Sequence, residues 1–186
     1  AYLNMLKLDC LGLSTMTLVG DVIDMVPDLT LQDIYRLTPD DPKVLQKWVD
    51  DDLTGVFQFE GATTRKIVQQ VCTSLEGTNF SVLSDINALS RPGAMTSGMT
   101  AQYIKVANGA PPRFIHPVID QLLADTSGCL VYQEQVMRIV KEFGGLSDHE
   151  IGRLRKIIGA KQQGGAFEAF WVKFSDGAKA LHGVDE

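Results

Sequence analysis

A chain of 186 residues and 20.4 kDa, 45% apolar, 22% charged and with mean hydropathy +0.02, has the composition of a globular protein, one that buries roughly 70% of its unfolded surface. These figures exclude a disordered chain, a collagen and a membrane span, since no apolar run approaches the roughly 18 residues that a bilayer requires. The net charge of −6 is unevenly placed: residues 1–60 carry four basic and eleven acidic side chains, and residues 61–186 carry thirteen basic and twelve acidic. Any phosphate-binding face must therefore be a local patch.

The first nine residues lack the basic-then-apolar pattern of a secretory signal, which makes the cytosol the default compartment. The sequence starts at Ala1 without a methionine and enters an apolar stretch at once, so it reads as part of a longer protein. Cys10, Cys72 and Cys129 are odd in number and widely spaced. That argues against a disulfide framework or a zinc knuckle and for reduced, buried thiols.

In chain order, residues 3–13 are rich in β-compatible apolar side chains, with Lys7 and Asp9 two positions apart. On a strand those charges share one face, and Leu6, Leu8 and Cys10 share the other. After Gly12 the period changes: Met16, Val19, Ile23 and Val26 recur at three and four residues ahead of Pro27, which predicts a helix over 14–25. Asp40, Asp41 and Pro42 open a helix over 42–49, and Asp50, Asp51 and Asp52 close it as a solvated turn. The segment 55–59, Gly-Val-Phe-Gln-Phe, reads as extended and leads to a helix over 62–71. A further helix is expected over 81–89, interrupted by Ser90, Arg91, Pro92 and Gly93, which present Arg91 on a loop. Pro111 and Pro112 mark another connection, before helices near 117–124, 131–143, 147–159 and 166–180.

Two of these helices carry most of the chemistry. Over 131–143, Tyr132, Val136, Ile139, Val140 and Phe143 share one side and Glu134, Arg138 and Lys141 the other, with Glu134 and Arg138 spaced as an i,i+4 pair. Over 147–159, Ile151, Leu154, Ile157 and Ile158 form the inner face, leaving Arg153 and Lys156 facing away and Arg155 on the flank. With Lys161, residues 153–161 hold four positive charges and no negative one, the pattern of a solvated face or of a phosphate-binding one. Lys7 beside Asp9 reads as a structural ion pair or as a catalytic pair. His116, His149 and His182 lie far apart without metal-ligand spacing, and the hydrolase elbow, phosphate-loop, zinc-protease and dinucleotide signatures are missing.

Five collinear segments carry a resemblance over residues 7–161. Lys7-Leu8-Asp9-Cys10-Leu11-Gly12-Leu13 resembles the Lys-x-Asp-x-Leu-Gly-Leu segment of the C-family polymerases, the bacterial replicative DNA polymerase III alpha subunits. Gly55-Val56-Phe57-Gln58-Phe59-Glu60 is similar to that family's Val-Phe-Gln-x-Glu segment, and Arg91-Pro92-Gly93 to its Arg-Pro-Gly loop. Val131-Tyr132-Gln133-Glu134-Gln135-Val136-Met137 resembles its Tyr-Gln-Glu-Gln-Val-Met helix, and 154–161 its Leu-Arg-Arg-x-x-Gly-Lys-Lys helix end. Lys156 stands where the family shows a second arginine, which keeps the charge and loses the bidentate fork. Ala160 replaces a lysine and Gly152 an acidic residue, so the resemblance implies a divergent member, of viral or phage origin.

The resemblance implies a mainly α fold, with a short β-strand of the palm sheet over 1–13 and the N-terminal part of the fingers over 14–186. It implies a segment of a DNA-directed DNA polymerase in the bacterial or phage-infected cytoplasm, joining deoxynucleotides to a primer by two-metal nucleotidyl transfer with Mg2+. Asp9 would be the third of the family's metal-binding carboxylates and the catalytic residue of this chain; the other two lie upstream, so the chain alone should be inactive. Lys7, Arg155, Lys156 and Lys161 would contact the nucleotide, and Arg91 and Arg153 DNA or nucleotide. Glu134 would partner Arg138 or another base. Expected partners are primer-template DNA, deoxynucleoside triphosphates, the rest of the polymerase chain and replisome subunits, with no membrane. Rival readings are a non-catalytic helical module that binds DNA or protein, and a degenerate polymerase-like structural protein.

Overall fold

A computed structural model describes Leu8, residues 10–160 and residues 164–184. Eleven α-helices follow one another among the described residues: α1 (Ser14–Met25), α2 (Leu31–Tyr35), α3 (Pro42–Val49), α4 (Ala62–Val71), α5 (Phe80–Leu89), α6 (Pro92–Thr96), α7 (Met99–Ala107), α8 (Pro117–Leu122), α9 (Gln133–Glu142), α10 (Asp148–Gly159) and α11 (Glu168–His182). Short 3-10 turns occur at Ala124–Thr126 and Gly164–Ala166, and there is no strand among the described residues. The mainly α expectation holds. The proposed palm strand falls largely on residues 1–7 and 9, outside the described residues, while Leu8 and 10–13 are exposed and non-helical. Of the cysteines, Cys72 and Cys129 are buried free thiols as expected, but Cys10 is exposed.

The helix ends follow from their capping chemistry. The Asp41 carboxylate accepts from the Lys43 backbone N–H at 2.8 Å, with Pro42 in the first turn of α3. Asn79 Oδ1 accepts from Val82 N–H at 3.0 Å at the start of α5, and Asp40 Oδ1 accepts from Phe80 N–H at 2.7 Å, tying the entry of α3 to that of α5. Before α10, Glu150 Oε2 accepts from the Ser147 N–H and hydroxyl at 3.0 and 2.7 Å, a reciprocal cap.

The main core is built from α3, α4, α5 and α7, centred on Val68, Ile86, Leu89 and Tyr103. A smaller cluster joins Ile119, Leu123, Phe143 and Ala178. Burial of side chains of this size stabilises by roughly 1.5–3 kcal/mol each, so these clusters hold the helices together. By contrast α1 and α2 bury no residue, and Met16, Leu18, Val22 and Met25 are exposed along α1. No described helix is long and apolar enough to cross a membrane.

Three local expectations need correction. Residues 53–59 form successive turns, not an extended segment: Val56 N–H donates to Leu53 O at 3.1 Å and Phe59 N–H to Val56 O at 3.0 Å. Gly55 (φ 77°) and Gln58 (φ 64°) adopt left-handed conformations that reverse the chain. Leu53 and Phe59 are buried and Val56 is partly so, a spacing of three where a strand would bury every second residue. Arg91 is not on a free loop; it is the N-cap of α6, with Pro92 following at the first helical position. The acidic run is a turn, but Asp51 is held in it: its carboxylate accepts from Arg65 Nη2 at 2.8 Å and Gln69 Nε2 at 2.8 Å on α4. The Arg65 guanidinium beside it holds the Asp51 carboxyl below its usual range.

Candidate functional site

Arg91 sits where α5 turns into α6. The Ser90 N–H closes α5 on Ile86 O at 2.9 Å, and the Ser90 hydroxyl donates to Asn87 O at 2.9 Å, so two residues separate the helices. The buried side of α5, Leu83, Ile86 and Leu89, fixes the opposite face outward. That face, Ser84, Asn87 and Ala88 with Arg91, forms one wall of a recess of about 470 Å³. Val131, Tyr132, Gln133 and Glu134 form the other wall, at the start of α9. Two segments singled out in the sequence, 91–93 and 131–137, thus meet across one concavity.

The Gln135 side chain locks the second wall. Its Oε1 accepts from Val131 and Tyr132 N–H groups, both at 2.9 Å, and its Nε2 donates to Thr126 Oγ1 at 2.7 Å. The Thr126 hydroxyl donates in turn to Cys129 O at 2.7 Å. Gln135 is buried, so these bonds satisfy its amide where water is largely excluded. The loop before α9 is thereby pinned, and Glu134 is left projecting from the first turn.

Below the recess lies Asp85, buried on α5. Tyr103 on α7 donates to its Oδ2 at 2.9 Å and Tyr132 to its Oδ1 at 2.7 Å. The Tyr132 hydroxyl also lies 3.1 Å from Ser84 Oγ. Burial raises the Asp85 carboxyl above its usual range, against the opposing effect of the two phenols. Burial likewise raises both tyrosines, Tyr132 to about 12, so both hydroxyls remain donors across the ordinary pH range.

The third singled-out segment does not line the recess but meets Glu134 of its second wall from α10. Arg155 Nη2 lies 3.8 Å from Glu134 Oε1, with both side chains more than half exposed. Of the two expected partners of Glu134, Arg138 or another base, the second is found: Arg138 Nε donates to Glu142 at 3.1 Å, one turn further along α9. Both pairings are open to Arg138 on its own helix, and it takes Glu142. Leu154 is buried, while Arg153, Arg155 and Lys156 are exposed, as the helical period requires. Asp148 and Glu150 stand in the first turn of α10 and Lys156 in the last, which also complements the helix dipole.

The other sequence candidates are placed as follows. Arg153 stands over the Phe170 ring of α11, 5.9 Å from its centroid, and does not line the recess. The 55–60 segment approaches through Gln58, whose Oε1 accepts from Asn87 Nδ2 at 2.8 Å. Asp9, Lys7 and Lys161 lie outside the described residues. Among the described residues no group of three or more His, Cys, Asp or Glu side chains could hold a metal ion.

Sequence reading missed Asp85, Tyr103, Asn87 and the locking role of Gln135. For Gln135 there was a signal, a Gln three residues after the residue that opens a helix. Asp85 had none, because its partners lie 18 and 47 positions away.

A family model of the bacterial DNA polymerase III alpha subunit finger domain matches residues 15–182. The chain is similar to the DNA polymerase III subunit alpha of Yersinia pestis, 36% identical over 162 residues, covering 86% of this chain and 14% of that protein. It is 33% identical over 181 residues to the DNA polymerase III subunit alpha of Helicobacter pylori, covering 96% of this chain and 14% of that one. An error-prone DNA polymerase of Mycolicibacterium paratuberculosis is 30% identical over 189 residues, covering 100% and 17%. The chain spans 14–17% of the length of these relatives. With the family model matching residues 15–182, the chain belongs to the finger-domain family of bacterial DNA polymerase III alpha subunits.

Proposed function

We propose that this chain is the end of the palm (1–13) and the opening part of the fingers (14–186) of a DNA-directed DNA polymerase. In this reading the recess between Arg91 and Glu134, with Arg155 at its edge, receives the incoming deoxynucleoside triphosphate during replication. The observation that carries it is the shared Glu134, which lines the recess with Arg91 and pairs with Arg155. One guanidinium, Arg91, thus lines a concavity with one carboxylate, and that carboxylate pairs with a second guanidinium, Arg155. Guanidinium forks match phosphate oxygens, and a 3.8 Å pair that is more than half exposed is loose enough for a phosphate to displace Glu134.

Arg155 would then donate to the phosphate oxygens as their charge redistributes, and Lys156 would add a point charge from the same helix end. Lys7 and Lys161 join this set on the sequence resemblance, as Asp9 joins the carboxylates that bind Mg2+. Bound there, Mg2+ would activate the primer 3′-hydroxyl and neutralise the leaving pyrophosphate. Arg91 and Arg153 remain candidates for DNA or nucleotide, and the exposed apolar face of α1 is suited to the rest of the polymerase chain. Primer-template DNA, replisome subunits and a cytoplasmic setting follow from the same reading.

Steady-state incorporation by a full-length polymerase carrying this segment tests the assignment. Arg155→Ala should lower kcat/KM for the nucleotide by about ten- to a hundred-fold, the worth of one charge-assisted hydrogen bond, while primer-template affinity at fixed salt stays near normal. Unchanged incorporation would reduce the basic face to a solvated one and favour a non-catalytic module. The chain by itself should not extend a primer; magnesium-dependent extension by the purified chain would contradict its proposed place as part of a larger active centre.

A further inference from the structure

We propose that Asp85 is a positioning residue that clamps the two walls of the nucleotide recess at a fixed separation. The inference rests on the nucleotide reading above and goes beyond it. Asp85 belongs to α5, six residues before Arg91, so it moves with the first wall. Its Oδ1 accepts the Tyr132 hydroxyl at 2.7 Å, and Tyr132 is the N-cap of α9 and part of the second wall. Its Oδ2 takes the Tyr103 hydroxyl at 2.9 Å, which fixes the carboxylate plane against α7 behind the recess. One side chain therefore joins three helices whose sequence positions are far apart.

Stability alone gives a poor reason for a carboxylate at this position. Asp85 is 4% exposed and Tyr103 is 3% exposed, and the surrounding side chains include Ile86, Leu89 and Cys129 of the main core. Burying a carboxylate is unfavourable, and a well-packed apolar side chain often does as well or better for stability. An apolar residue cannot orient two phenols. The distance from Arg91 to Glu134, and hence to Arg155, depends on where Tyr132 is held. The Tyr132 hydroxyl has a second neighbour in Ser84, which is also on α5, so its position is defined from two points of the same helix.

The test uses the full-length polymerase carrying this segment, with nucleotide KM, kcat, primer-template affinity and thermal unfolding measured together. Asp85→Leu removes the clamp and puts a larger apolar side chain in its place, which the unfolding measurement monitors. It should raise nucleotide KM about fivefold or more, the scale of one lost hydrogen bond, with kcat and DNA affinity within about twofold. Asp85→Asn, which can accept from one phenol and donate to the other, should restore KM to within about twofold. Tyr103→Phe keeps the Asp85–Tyr132 link but frees the carboxylate plane, so it should raise KM by less than Asp85→Leu does. Tyr132→Phe cuts the link from the other end and should raise KM as Asp85→Leu does, which keeps the proposal testable if Asp85→Leu does not fold.

Arg155→Ala serves as the reference. If it raises KM while Asp85→Leu and Tyr132→Phe lower only the melting temperature, Asp85 is merely structural and this proposal fails with the nucleotide reading intact. If Arg155→Ala leaves KM unchanged, the nucleotide reading fails and the proposal falls with it.

Discussion

Arg155 on α10 and Glu134 on α9 face one another at 3.8 Å across the seam between their helices. Both side chains are more than half exposed, so solvent screens the pair. Glu134→Gln should therefore change the unfolding free energy by no more than about 0.5 kcal/mol. In a full-length polymerase it should lower nucleotide KM, because the carboxylate competes with phosphate for Arg155. A raised KM would mean that Glu134 serves the nucleotide directly and that the displacement reading is wrong.

Gly177 and Gly144 predict a different sensitivity. A Cβ on Gly177 would fall 1.9 Å from the Gly144 carbonyl oxygen, and one on Gly144 would fall 2.3 Å from a Phe174 ring carbon. α11 thus rests directly on the backbone that follows α9. Gly177→Ala should push the helix away and destabilise the chain by about 1–3 kcal/mol or more, even though alanine is the better helix former by about 1 kcal/mol. Denaturant unfolding of the two proteins checks it, and an unchanged midpoint would mean that α11 is not seated there.

Much of the helical frame was legible because it is written in local chemistry. α1, α3 and α4 have the bounds that periodicity, Asp-Pro caps and closing acidic residues predict. The unforeseen α2 and α6 have five residues each and begin at Thr30 or Arg91-Pro92, where the sequence looks like a turn; the nine-residue α7 is unforeseen as well. Residues 53–59 misled because aromatic and β-branched side chains favour strands, whereas the two left-handed residues Gly55 and Gln58 decide the path. At the site, the exposure of Arg155 and Lys156 follows from helical period alone. The choice of Arg155 by Glu134, and the Asp85 clamp, depend on contacts between distant helices that no local pattern encodes.

Glu150 should give the N-terminus of α10 a pH dependence. Lys173 on α11 pairs with it and the Ser147 hydroxyl and N–H donate to it, which together hold its carboxyl down at about 2 from 4.5. A carboxyl lowered in the folded state contributes stability that is fully present above its unfolded value and is lost as pH falls from there through about 2. Glu150→Gln should consequently lower the melting temperature at about pH 6 and have a shrinking effect as pH falls below about 4. An equal effect at both ends of that window would show that capping shape, not charge, is what Glu150 contributes.

Asp9→Asn separates metal chemistry from nucleotide contact. Asp9 lies outside the described residues, so its assignment rests on the Lys7-Leu8-Asp9-Cys10-Leu11-Gly12-Leu13 segment. Asparagine keeps the size and much of the hydrogen-bonding shape but removes the negative charge that a hard divalent cation requires of its ligand. Primer-template affinity is set mainly by phosphate contacts made elsewhere. In the full-length polymerase the substitution should therefore abolish extension while a DNA titration at fixed salt remains near normal. Arg155→Ala should differ in kind, leaving slow but measurable extension with a higher nucleotide KM, because it removes one charged donor and no metal ligand. If Asp9→Asn retained near-normal incorporation while Arg155→Ala did not, the carboxylate at position 9 would be structural and only the nucleotide recess would stand.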